Sequence, residues 1–346
     1  MKRLLTWLAV LLLTSACGGS EPEDAPGAAG RPEPIVVYAS YEDPSYLEEL
    51  FADFTLETGI RVTVKNGPSD EQVTKLVDKL DAPNADLLIT PDVQGIWRAG
   101  DEGALRPYQS TLVDERVPAT LRDPDGVWSA VSLEHAQVMK DRRSVPDDLI
   151  ESYESLAVPE LKSKLCLSSS ALPINRAVIA SLIRSKGRRD AELVVRGWIA
   201  NLAMPPYVSE EELVAAIAAG TCGAGIVSSV SERPIIPGFA QQPLTSTTPY
   251  PAVGNIEAMA ISRHAGNPDG ARALMEWLTS AEVQARHADA TGRFPAVAGD
   301  GEVADLSTTG PARMNTPVQQ LGSAQMSAAG WFDEEAVRLA ERARYQ

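Results

Sequence analysis

The sequence predicts an α/β protein of open sheets arranged in two lobes. Residues 35–64 read strand, loop, helix, strand without interruption, and residues 145–240 repeat the alternation with elements of their own. The chain has 346 residues, 44% of them hydrophobic, which is enough for two cores of ordinary size.

The first unit sets the frame. A β-branched run from Ile35 stops at Ser40, and Leu47, Leu50, Phe51 and Phe54 then recur at helical spacing until Gly59 ends the helix. A second strand follows at 60–64, and in such β-α-β units small ligands bind at the carboxyl ends of the strands. Residues 38–43, with Tyr41 and Glu42 among them, therefore lie where a ligand would sit. Helix 71–80 then places Val73, Leu76, Val77 and Leu80 on one face, and strand 85–90 runs into Pro91 and Asp92. A short helix at 94–103 carries Trp97, residues 123–126 form a turn by their Pro and Gly content, and an extended segment follows at 128–139. That segment holds Glu134 and His135 in an otherwise mostly uncharged run.

In the second lobe, 164–170 is strand into loop, and helix 174–185 has Val178, Ile179, Leu182 and Ile183 as its apolar face. Ser168, Ser169 and Ser170 precede that helix, a place that suits an anion or carboxylate and equally suits plain capping. Helices follow at 190–202 and 210–219, then a core strand at 223–227 ending in Ser228 and Ser229. Residues 234–250 read as loop or returning strand. The strand at 255–261 is apolar apart from Glu257, a carboxylate that needs a partner if buried and that either faces a cleft or pairs with an Arg in the core. Asn267 and Pro268 open a helix whose buried face is Ala271, Leu274, Met275 and Leu278. An extended path resumes at 294–297, and residues 318–344 supply one or two terminal helices. His264 and His287 fall at helix-flanking or surface positions and are expected to be solvated.

The net charge of -16 repels phosphate backbones, so nucleic acid is not an expected partner. The amino terminus has Lys2 and Arg3, an apolar run at 4–13 too short to span a bilayer, and small residues before Cys17. Thr14-Ser-Ala-Cys17 resembles the bacterial lipobox, which implies a signal peptide at 1–17 and a lipid on Cys17. A flexible tether at 18–33 would follow, and an ordinary cleaved signal is the alternative. The protein is thus expected to be exported, a periplasmic or cell-envelope lipoprotein held to the membrane by its lipid. With Cys17 so used, Cys166 and Cys222 remain as an even pair, read as a disulfide.

Several blocks, in order, resemble the periplasmic substrate-binding proteins of ABC importers, specifically the ferric-iron-binding type. They include Val37-Tyr-Ala-Ser40, Phe54-Thr-Leu-Glu-Thr-Gly-Ile60, Ala85-Asp-Leu-Leu-Ile-Thr90, Leu165-Cys-Leu-Ser-Ser-Ser170 and Ala273-Leu-Met-Glu-Trp-Leu278. The resemblance implies the two-lobe type II periplasmic binding protein fold, with a hinge, an inter-lobe cleft for the ligand, and delivery to permease and ATPase subunits. Lobe 1 would comprise 34–130 and 248–315, lobe 2 would comprise 131–247, and C-terminal helices would occupy 316–346. Each lobe would have its own sheet, with the crossings side by side. Cys166 and Cys222 match a disulfide-forming pair in part of that family.

The resemblance departs at the iron site. Where the family has adjacent tyrosines whose phenolates bind ferric ion, this chain has Ser228-Ser229-Val230-Ser231-Glu232, and a further Tyr position falls near Lys140. Asp92 matches an acidic ligand position and Glu42 stands near a His position; a slip of one residue would put Tyr41 there. The implied metal ligands are then Glu42 and Asp92, with Glu134, His135 and Glu232 completing the site. Such donors suit a divalent ion or a cationic organic ligand about equally well. The expected function is a solute-binding lipoprotein that captures a metal ion or other cation. The alternatives are a small organic or anionic ligand, or a scaffold lipoprotein that has lost transport. No nucleophile with a base, complete metal set or phosphate loop stands at a recognisable spacing, so no enzyme and no cofactor beyond a transported metal ion are expected.

Overall fold

In the computed structural model, residues 32–41, 44–78, 85–232, 243–297 and 330–346 are described. Cys17, residues 18–31 of the tether and Glu42 lie outside the described residues, as does the side chain of Glu232.

Strand β1 (Ile35–Ala39), helix α1 (Pro44–Thr58) and strand β2 (Val62–Asn66) form the first unit, with β1 and β2 parallel and Ile35 opposite Val62. Leu47, Leu50, Phe51 and Phe54 are the buried face of α1, and Gly59 ends it at a φ of 75°, where a side chain would be strained. Helix α2 (Ser69–Val77) leads to β3 (Leu87–Thr90), parallel to β1 on its other side. Helix α3 (Val93–Asp101) follows at once, and the short α4 (Thr111–Arg116) is capped by Ser110.

Strand β4 (Trp128–Asp141) is the axis of the molecule. Its first half pairs antiparallel with β8 (Gly254–Ile261), which itself lies against β3. Its second half pairs with β6 (Ala224–Ser228) and β7 (Leu244–Thr247), and β5 (Leu165–Cys166) adds parallel to β6. The strand order is therefore one path, β2-β1-β3-β8-β4-β6-β5, rather than the two separate sheets expected. The reason is length: fourteen residues let one strand serve both sets. The return chain, from Thr247 opposite Val138 to Gly254 opposite His135, runs beside β4.

Around the second strand set lie α5 (Pro173–Lys186), α6 (Arg188–Asn201) and α7 (Glu210–Ala218), close to their expected bounds. Cys166 and Cys222 are joined by a disulfide with Cα atoms 5.9 Å apart, tying the end of β5 to the approach to β6. Helix α8 (Pro268–Leu278) begins as expected, the Asn267 side chain accepting from the Gly270 N–H. The sequence reading missed the next element, α9 (Ala281–Thr291), which Gly292 closes in the left-handed region and which buries Val283, Gln284 and His287. A two-residue strand β9 (Phe294–Pro295) then pairs with β4, and α10 (Asp333–Ala343) packs on α5 and α6.

Candidate functional site

The polar residues of interest gather on the ladder between β4 and β8. Ser132 lies opposite Glu257 and Glu134 opposite Asn255. Side chains alternate along a strand, so these four share one face. Helix α9 and the turn after it cover that face with His287 and Arg293.

Glu134 is buried and surrounded by donors. One carboxylate oxygen accepts from Asn255 Nδ2 and from Arg293 Nη2, each at 2.8 Å; the other accepts from the Ser228 hydroxyl. Arg293 also donates to the Pro91 carbonyl at 3.3 Å, and Asn255 donates to the same carbonyl at 3.0 Å, so the end of β3 is knitted to β4, β6 and β8. Glu210, at the start of α7, accepts from the Ser228 N–H at 2.8 Å and from the Ser231 hydroxyl. Its pKa is pushed up to about 7, first by burial and then by the charge of Glu134. Arg293, Asn255 and Glu210 were all missed from sequence.

Asp92 is buried and caps α3, its Oδ1 accepting from the Gly95 N–H at 2.6 Å. Burial raises its pKa, and Arg176 of α5 is among the groups that oppose the rise. His135 is buried, stacks on Phe294 at 5.6 Å and has Nε2 within 3.1 Å of Thr248 Oγ1 and 3.0 Å of Gln137 Nε2. Burial pushes its pKa down to about 4, so the imidazole is neutral near pH 7. Ser229 Oγ accepts the His135 N–H at 3.1 Å. Among the described residues, no three His, Cys, Asp or Glu side chains converge as a metal set; each described member of the expected set has a protein partner.

The serine segment has its own partners. Ser168 Oγ accepts from Asn175 Nδ2 at 2.9 Å, its carbonyl accepts from the Tyr345 hydroxyl at 2.7 Å, and Ser170 Oγ donates to the Tyr345 carbonyl at 3.0 Å. Ser169 Oγ accepts from the Ala171 N–H at 3.3 Å. These hydroxyls hold the loop and the C-terminal residues in place.

Glu257 and His287 correct the sequence reading. Among the described residues Glu257 pairs with no Arg, and His287 is not solvated: both are about 1% exposed, and Nε2 of His287 lies 2.6 Å from Glu257 Oε2. The same oxygen accepts from Ser132 Oγ at 2.5 Å, and Nδ1 of His287 lies 3.0 Å from the Tyr46 hydroxyl. Helix α9 was the missing link. Its signal was present in Ser280, in the i, i+4 pair Val283 and His287, and in Gly292.

This architecture, with strand ends converging where one long strand passes between two strand sets, defines a bacterial solute-binding protein. The chain belongs to that family: the model for bacterial extracellular solute-binding proteins matches residues 35–290. It is similar to iron uptake protein A1 of Synechocystis sp., with 27% identity over 92% of this chain and 93% of that one. It is also similar to the Fe(3+)-binding periplasmic protein of Serratia marcescens, with 23% identity over 58% of each chain. Among solved structures, a Trichodesmium protein in complex with iron and citrate superposes with a TM-score of 0.75 and 27% identity, over 90% of this chain and all of that one. The ferric binding protein from Campylobacter jejuni superposes with a TM-score of 0.78 and 22% identity over the same shares. The fold is the two-lobe type II periplasmic binding protein fold, with its hinge and inter-lobe cleft.

Proposed function

We propose that this protein is the capture component of an ABC importer, taking a cationic solute, a metal ion foremost, into the cleft and handing it to a permease. The relatives named for iron support a metal. The observation that carries the cation is Glu210: a buried carboxyl beside Glu134, held toward its neutral form by burial and by that neighbour's charge, in a place where an arriving cation would be welcome. Asp92, Tyr41 and, by sequence, Glu42 and Glu232 belong to the same proposed site. The ligand set differs from phenolate chemistry, because Val230 and Ser231 stand where the family resemblance expects adjacent tyrosines.

A second reading has its own observation. Nη1 of Arg293 is buried without a hydrogen-bond partner among the described residues, a donor that suits an anionic organic solute or the carboxylate of a metal chelate. We assign no catalytic role to the chain. It is placed outside the cytoplasm, anchored through lipid on Cys17, with lobes divided at about residues 131 and 247.

Protein produced in the periplasm and purified without refolding, then measured by native mass spectrometry with metal analysis, tests this. A bound metal, and titration by ferric citrate without a visible tyrosinate-to-iron band, is the expected result. Failure to take up ferric, manganese or zinc ions, with an organic acid bound instead, would overturn the cation in favour of the second reading. Cys17→Ser is expected to release the protein from the membrane fraction; unchanged association would exclude the lipid.

A further inference from the structure

The polar chain from Glu257 through His287 to Tyr46 is costly as a stabilising device. A buried carboxylate and imidazole lose their hydration, and an apolar pair of similar volume often does as well or better. One oxygen of Glu257, Oε1, is moreover buried without a hydrogen-bond partner among the described residues.

What the arrangement does is set orientation. A carboxylate accepts, so His287 presents its N–H from Nε2 to Glu257, and its Nδ1 is left to accept from the Tyr46 hydroxyl. Burial pushes the Tyr46 pKa up to about 12, so that hydroxyl keeps its proton. Tyr46 stands in the first turn of α1, directly after the segment that leaves the carboxyl end of β1. Tyr41, at the other end of that segment, packs its ring 6.5 Å from both Tyr46 and His287, centre to centre. Its backbone is clamped as well: Asn66 Oδ1 accepts the Tyr41 N–H at 2.9 Å, and Asn66 Nδ2 donates to the Tyr41 carbonyl at 2.8 Å. Tyr46 is thus fixed from the sheet side through the buried chain, and Tyr41 through Asn66 and its ring contacts with Tyr46 and His287.

We infer that Glu257 and His287 are positioning residues: acting through Tyr46, they fix the first turn of α1 and the ring of Tyr41 packed against it for the captured solute. This rests on the reading that solute is held at the strand ends. Fixing a binding segment beforehand removes ordering cost from the binding step.

The test uses the full exported chain and two variants. Tyr46→Phe deletes one hydroxyl and keeps the ring; Glu257→Gln keeps the volume and removes the charge that orients His287. Amide exchange in peptides spanning residues 38–50, measured without ligand, is expected to quicken about tenfold in both variants, with the peptides of β8 unchanged in Tyr46→Phe. Ferric citrate is expected to bind about fivefold to tenfold more weakly, the worth of one hydrogen bond, and the double variant no more weakly than the worse single one. Unchanged exchange in 38–50, or penalties that simply add, would overturn the inference. Lack of ferric citrate binding by the unaltered chain would instead count against the proposed function, and the exchange result would still decide this one.

Discussion

Two carboxylates on one ladder, two rungs apart, meet opposite treatment. Glu134 sits among donors, with Arg293, Asn255 and Ser228 all directed at it. Glu257 shares a single oxygen between Ser132 and His287 and leaves the other without a partner among the described residues. Both counter-groups come from the same short stretch, His287 from α9 and Arg293 from just beyond it. The first arrangement sets an ion pair with Arg293 where the strand sets meet, and the second uses its carboxylate to orient a ring. A buried acid is therefore read by the donors around it more than by its burial.

The largest expected effect breaks the Glu134 side. Arg293→Met leaves the Glu134 carboxylate buried without its ion-pair partner and should cost about 3 kcal/mol of stability in denaturant unfolding. His287→Leu should cost less, about 2 kcal/mol by the same measurement, because Glu257 keeps its bond from Ser132 and loses one hydrogen bond. Equal losses would show that the two environments are energetically alike.

A pH series sharpens the contrast near the Glu134 end. His135 is held neutral, its pKa lowered from 6.5 to about 4, so the unfolded chain binds more protons in that window and stability rises with pH across it. Glu210 does the reverse: with its pKa raised from 4.5 to about 7, the folded chain binds more protons, and its contribution is lost as pH climbs through that range. His135→Asn should flatten the loss of stability in acid, while Glu210→Gln should raise stability at pH 8 by about 1 to 2 kcal/mol and leave pH 4 nearly unchanged. Unfolding midpoints between pH 4 and 8 measure both, and slopes of the same sign would contradict the assignments. The smallest effect is expected from Ser132→Ala, about 1 kcal/mol, which removes one of the two bonds to Glu257 and should leave His287 in place by NMR.

Much of the fold was legible in the sequence because it is written locally. Helix α1 follows from the spacing of Leu47, Leu50, Phe51 and Phe54 and from Gly59, and α8 from Asn267, Pro268 and its buried stripe, since period and caps are properties of neighbouring residues. The core strands at 87–90 and 254–261 were visible as apolar runs, and the oddity of Glu257 was visible within one of them. The pairing of Cys166 with Cys222 followed from counting thiols together with the family resemblance.

The partners of buried polar groups were settled only by the tertiary structure. Arg293 is 159 residues from Glu134 and Tyr46 is 241 from His287, and no local pattern records such a meeting. Asp92 turned to the N-terminus of α3, and Ser168 to Asn175 and the C-terminal Tyr345, because the closest unsatisfied donor in space claims an acceptor whatever lies between them in sequence. The sequence determined by itself which segments are strands and helices and which faces are apolar. Folding decided which charges meet, because a hydrogen bond reaches about 3 Å and only the packed chain brings distant residues that close.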